Sequence, residues 1–392
     1  MKGATHDAVV IGAGPAGSVA ALLLARAGWH VALVEKAAFP RRKVCGEFLS
    51  ATNQPLFRRL GLATELAGLA GPPIARMALY AGDAAITASL PRAGRAASHG
   101  YAMGRQYLDT ALAGAARAAG AEMWQPWTAR VDERDPGGVT RVTLRHGGQA
   151  RVLAAPVVVE ADGRWGKPAH DPRPRDLLGF KAHFRGAALA PDLMPLLVFP
   201  GGYGGLVTSS QGQVCFGCAV RKDVMARVHE AATAPPAAAM LRHVLQHCRQ
   251  AEAILAGAAL EGSWLGAGPI RPELRDPYGG HGLFRVGNAA GEAHSLVGEG
   301  MSMAMQGAWL LAELLGRMPM ARAGLGLDEV GAVYRRAWRR GFVPRIAAAR
   351  VYAAGAMRPG VVSVLLPLFE KFPAILTVAA GLSGKTRMLV PA

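Results

Sequence analysis

The chain has 392 residues, 51% of them hydrophobic, and 44 basic against 27 acidic side chains give a formal net charge of +17 at pH 7. A chain of this size buries one large core or two interleaved ones, so a compact two-domain enzyme is the natural expectation. The excess charge is mostly arginine scattered along the sequence, with no basic arm, stripe or recognition motif, which excludes nucleic acid as the expected partner.

From the N-terminus, DAVVIGAGPAGSVAALLLARAGWHVALVEK (7–36) reads as an apolar strand, a glycine turn, a helix rich in Ala and Leu, and a second apolar strand ending in Glu35. The apolar run at 9–11 starts the fold almost at once, so no signal peptide is expected. Downstream, YLDTALAGAARAAGAEM (107–123) has helical composition, and VTRVTLRHG (139–147) and ARVLAAPVVVEADG (150–163) read as strands returning to the first fold. Between about 172 and 269 short strands alternate with glycines (LLGFKAHFRG, LLVFPGGYGGLVTSS, QVCFGCAV), with helical stretches at 224–229 and 238–250. GLFRVGN and GMSMAMQGAWLLAELL form a second return to the first fold, and from about 327 the chain is mostly helical. The apolar run VVSVLLPLFEKFPAILTVAAG is broken by Pro367, Glu370, Lys371 and Pro373 and is not expected to span a membrane.

The four cysteines, Cys45, Cys215, Cys218 and Cys248, are too few and too unevenly spaced for a disulfide framework, so a reducing cytoplasm is expected. Cys215 and Cys218 have the spacing of a metal half-site, but nothing completes it and no metal is expected.

The chemistry concentrates in glycine motifs. Gly12, Gly14 and Gly17 make a GxGxxG turn between strand and helix, with Ala13, Pro15 and Ala16 between them and Glu35, followed by Lys36, closing the next strand. The first glycine makes the turn, the second admits a pyrophosphate, and the third lets helix and strand pack. The helix N-terminus adds positive dipole, and Glu35 accepts from ribose hydroxyls. Two more glycine-acid segments follow: EADGRWG, with Asp162 and Gly163, and VGNAAGEAHSLVGEGMSMA (286–304).

With these three motifs the sequence resembles the FAD-dependent family that holds para-hydroxybenzoate hydroxylase-type monooxygenases, geranylgeranyl reductases and flavin-dependent halogenases. FPRRKVCGEFLS (39–50) is most similar to the geranylgeranyl reductase-like branch. The resemblance implies an α/β (α+β two-domain) fold: a Rossmann-like FAD-binding domain (1–75, 100–170 and 280–325), an inserted antiparallel-sheet substrate domain (76–99 and 171–279) and a helical C-terminal region (326–392). It further implies that Cys45 and Gly46 lie by the isoalloxazine ring, that Arg105 reaches the ribityl or phosphate region, and that Asn288 meets the ribityl chain. Asn288 stands where the family usually has Asp, Ser295 where it has Pro, and His294 where an acid is common. Gly298, Gly300 and Met301 open a helix whose amides would stabilise negative charge on the reduced ring, and Glu299 reads as favourable charge at that helix start.

Cys45, His294 and Tyr203 are the candidate catalytic residues. Cys45 reads equally as a proton donor near flavin or a packing residue, and His294 as a proton carrier or a satisfied structural residue. Tyr203 survives from the Tyr-x-Trp-x-Phe-Pro element of the reductase branch, whose Trp and Phe-Pro are absent, as is the halogenase Trp-x-Trp-x-Ile-Pro. No second Rossmann module is present for a nicotinamide, so NAD(P)H is expected as a transient donor. The expected reaction is monooxygenation of a hydrophobic, aromatic or polyketide-like small molecule. The rivals are prenyl-lipid double-bond reduction and electron relay at a membrane, with peripheral membrane contact possible through the basic surface and C-terminal helices.

Overall fold

The computed structural model describes residues 5–92, 99–135, 138–163, 173–231, 233–386 and 389. The tail of the EADGRWG motif, 164–166, lies outside them.

The first sheet is parallel, in the order Leu283–Arg285, Val157–Glu160, Ala8–Ile11, Val31–Val34, Glu122–Trp124. Its central strands are apolar at nearly every position because both faces are covered. Ala8 and Val10 point toward helices Pro15–Arg26, Arg105–Ala118 and Gly300–Gly316. Val9 and Ile11 point the other way, onto a three-stranded antiparallel sheet of Thr128–Arg134, Thr140–His146 and Gln149–Ala155. Sequence reading takes 150–163 as one stretch returning to the first sheet. The structure cuts it at Pro156, which cannot donate to a ladder, and sends Gln149–Ala155 and Val157–Glu160 to different sheets.

The second sheet has seven strands: Ala259–Ile270, Leu177–Arg185, Val214–Arg221, Gly202–Thr208, Leu193–Phe199, Arg76–Ala81 and Ala84–Ser89. Neighbours are antiparallel except Leu193–Phe199 and Arg76–Ala81, which run parallel. Helices Lys222–Glu230, Pro236–Gln246 and Arg249–Leu255 cover one face. The strand Ala259–Ile270 has no counterpart in the sequence reading, because its glycines and half-exposed positions carry no two-residue alternation.

A helix of 30 residues, Leu327–Ala356, is followed by Pro359–Lys371 and Ala374–Ala380. The first two of these meet at a bend of 102°, and among the described residues no single helix is long and apolar enough to cross a membrane.

Candidate active site

The two sheets meet across a cavity of about 430 Å³. The glycine turn forms one end. Gly12 has φ +102°, and a Cβ there would stand 2.6 Å from Asp162 Cα; at Gly17 a Cβ would stand 1.8 Å from Gly12 O. Both positions therefore require glycine. At Gly14 a Cβ would meet only the guanidinium ends of Arg105 and Arg41, at 3.7 and 3.9 Å. The backbone here is bare on the cavity side and faces two cations beside a helix N-terminus, as a pyrophosphate site requires.

Asp109, fully buried, holds these cations. It accepts two 2.7 Å hydrogen bonds from Arg105 and lies 3.2 Å from Arg41 Nη1. Arg41 lines the cavity, and its buried Nε has no hydrogen-bond partner among the described residues. Lys43 also lines the cavity; burial, then the charges of Arg41 and Arg105, lower its pKa to about 8. Glu35 lines the same end while accepting hydrogen bonds from the Ala13 and Ala37 amides, each 3.0 Å.

The cavity is also lined by Gly12, Pro15, Ala16, Lys36, Cys45, Gly46, Asp162, Gly163, Asn288, Gly298, Gly300 and Met301. Ala13 and Gly17 sit behind its wall, the Ala13 amide tied to Glu35 and Gly17 pressed on Gly12. Asn288 donates to Glu292 Oε1 at 3.0 Å, and Gly298 takes the left-handed φ of +65° that ends the Ser295–Val297 turn. Arg41 and Lys43 stand in the FPRRKVCGEFLS segment, to which sequence reading gives a resemblance but no cation role, and Trp127 carries no sequence signal.

Cys45 stands at the seam of the two sheets, its Sγ 3.7 Å from Met301 Sδ in the first turn of Gly300–Gly316. Beneath it lies Glu47, fully buried with φ +62°, which accepts from Lys181, from His183 Nε2 at 3.1 Å and from Ser209 Oγ at 2.5 Å. Burial alone would raise the carboxyl pKa; the His183 hydrogen bond and the Lys181 charge outweigh it and bring Glu47 down to about 2. Cys215 lies beside Glu47 and His183, with their ligand-type atoms within 4.8 Å of one another, but the Lys181 ammonium already supplies the positive charge. Cys218 packs in the core on the opposite face of the same strand, so the half-site spacing brings no second thiol.

The far end of the cavity is apolar, walled by Phe180, Met194, Leu196, Ile270 and Leu296, with Gly204, Gly205 and Gly217 flattening the sheet between them. Tyr203 lines it, whereas His294 sits one step behind and meets the Tyr203 hydroxyl through Nδ1 at 3.0 Å. Burial, then the charge of Arg350, lowers the His294 pKa to about 4, and burial raises that of Tyr203. The pair is therefore neutral near pH 7 and shares one hydrogen bond. Glu299 departs from its sequence reading: it is fully buried and paired with Lys385 Nζ at 3.0 Å, a partner 86 residues later that also donates to Val297 O at 2.6 Å.

Comparison with known proteins agrees with this geometry. Several curated matches are short, and the chain spans only 12–28% of those relatives' own length. One is menaquinone reductase of Mycolicibacterium smegmatis, 52% identical over 60 residues, which is 15% of each chain. Digeranylgeranylglycerophospholipid reductase 2 of Methanopyrus kandleri is 28% identical over 307 residues, 75% of this chain and 73% of that one. The solved structure of the flavin-dependent brominase Bmp2 superposes with a TM-score of 0.76 at 20% identity, covering 97% of this chain and 93% of that one, which speaks to the fold. A family model described as "FAD binding domain" matches residues 5–327, and with the glycine cradle and its cations the chain belongs to the FAD-binding domain family.

Proposed function

We propose that this FAD-dependent oxidoreductase reduces a carbon–carbon double bond in a long apolar, prenyl-type lipid, with NAD(P)H as its transient electron donor. The observation that carries the reading is the join between the cofactor cradle and an apolar chamber, with the Cys45 thiol at the seam. When bound and reduced, FAD would supply the hydride for one alkene carbon. The chain's own residues do the rest. Arg41, Lys43 and Arg105 would hold its pyrophosphate, and Asn288 its ribityl chain. The apolar wall excludes water, and Cys45 Sγ–H carries the proton that the second alkene carbon takes. Tyr203, kept protonated by burial and oriented by His294, positions the polar end of the substrate. The reductases among the relatives, one aligned over most of its length, put this reaction ahead of the monooxygenation favoured by sequence alone.

Monooxygenation is the second reading, favoured by the flat glycine wall at Gly204, Gly205 and Gly217, which leaves room for a planar aromatic ring. Anaerobic mixing of the reduced, FAD-loaded protein with a geranylgeranyl lipid separates the two. Gain of two hydrogens by the lipid without oxygen is the expected result. Turnover only with oxygen, with a hydroxylated product, would sink the reductase.

A further inference from the structure

Away from the cavity, helix Pro359–Lys371 stands out. Its sequence, PGVVSVLLPLFEK, is mostly apolar, yet it contains no buried residue. Val362, Leu366 and Phe369 rest half-buried on the second sheet. Val361, Val364 and Leu368, spaced along the opposite helix face and continued by Phe372, are exposed, Val364 by 77%. Val378 and Leu382 in the following segment are exposed as well. A run of this kind exceeds the scattered apolar residues of an ordinary surface.

Charge decides what covers it. Within 350–382 Glu370 is the one acid, against Arg350, Arg358 and Lys371. All three cations are exposed. Two copies of so cationic a face repel each other, which disfavours a second copy as the occupant. An anionic phospholipid surface offers both an apolar phase and opposite charge. The face also adjoins the cavity. Ala353 and Met357, at the 102° bend, pack in one cluster with Tyr203, Ile270 and Leu296, and these three line the cavity's apolar end.

We propose that the bent helices spanning 350–382 are a docking face for an anionic phospholipid bilayer, set so that an apolar substrate passes from the membrane to the Tyr203 end of the cavity. The passage rests on the reading of that cavity as the substrate chamber, whereas the docking does not. The test is flotation of the FAD-loaded full chain with vesicles of phosphatidylcholine alone or mixed with phosphatidylglycerol, at low and high salt. Binding to the anionic vesicles at low salt, weakened by high salt, is expected. Combining Val364→Glu with Leu368→Glu lowers the bound fraction about tenfold or more while flavin content stays the same, because neither side chain is buried. Arg358→Glu with Lys371→Glu, which reverses charge on the same face and replaces no apolar side chain, lowers anionic-vesicle binding independently, so the test stands even if the first variant misfolds. Absence of flotation, or equal binding to both vesicle types, overturns docking whatever the reaction, since no turnover is read. A dimer in light scattering that Val364→Glu dissociates would give the face to a second copy and overturn it too.

Discussion

The two walls of the cavity are built differently. At the glycine turn that caps the first sheet a Cβ at Gly12 would stand 2.6 Å from Asp162 Cα, and the neighbouring side chains are charged and mutually paired. On the second sheet a Cβ at Gly204 would stand 2.7 Å from Gly217 O and at Gly205 3.1 Å from Pro195 O, but at Gly217 it would meet nothing nearer than Gly46 Cα at 3.6 Å, and the neighbours are apolar. The first wall is fixed by its turn. The second is closed at Gly204 and open at Gly217, where a side chain can be added without disturbing the fold and can set the choice of substrate.

The largest expected effect breaks the seam between the walls. Glu47→Gln removes the charge that answers Lys181 and should cost about 3–5 kcal/mol of stability, read by thermal or denaturant unfolding. In the native chain the Glu47 carboxyl is depressed from 4.5 to about 2. Its contribution, about 3 kcal/mol, is complete above 4.5 and lost as pH falls toward 2, so the melting temperature should drop steeply in that window and Glu47→Gln should flatten the drop. Next comes Gly17→Ala, costing about 3 kcal/mol and yielding colourless protein. Arg41→Ala should leave the fold intact and weaken FAD binding by about 10- to 100-fold in a fluorescence titration.

Smaller still, Lys43 is charged below its pKa of about 8 and neutral above it. FAD affinity should fall by about threefold to tenfold as pH rises through that value, and Lys43→Met should remove the dependence. At the bottom of the scale, Gly217→Ala should cost under about 1 kcal/mol and keep full flavin content, changing KM alone. A colourless Gly217→Ala protein would erase the contrast between the walls.

The same contrast explains what could be read from the sequence. Gly12, Gly14 and Gly17 are legible because turn, close approach and packing each require glycine at a fixed spacing. Asn288 and Cys45 were found only through resemblance, since an amide or a thiol announces no geometry by itself. Arg41 and Lys43 lie in the quoted FPRRKVCGEFLS segment, but their role is not legible there because a cation marks an anion site only when folding brings it to a helix start, as Asp109 does for Arg41. The Glu47–Lys181–His183 cluster joins residues 134 and 136 positions apart, and no local pattern encodes such a pairing. The apolar wall escaped for a further reason: its residues are those of any buried strand.

The Glu299–Lys385 contact carries a consequence for biosynthesis. The turn at Val297–Glu299 borders the flavin end of the cavity, yet the lysine that fastens it leaves the ribosome 86 residues after Glu299. A nascent chain that has already folded its glycine turn still lacks this strut. Fastening of this turn is therefore a late event in the life of each molecule, following docking of the helical tail.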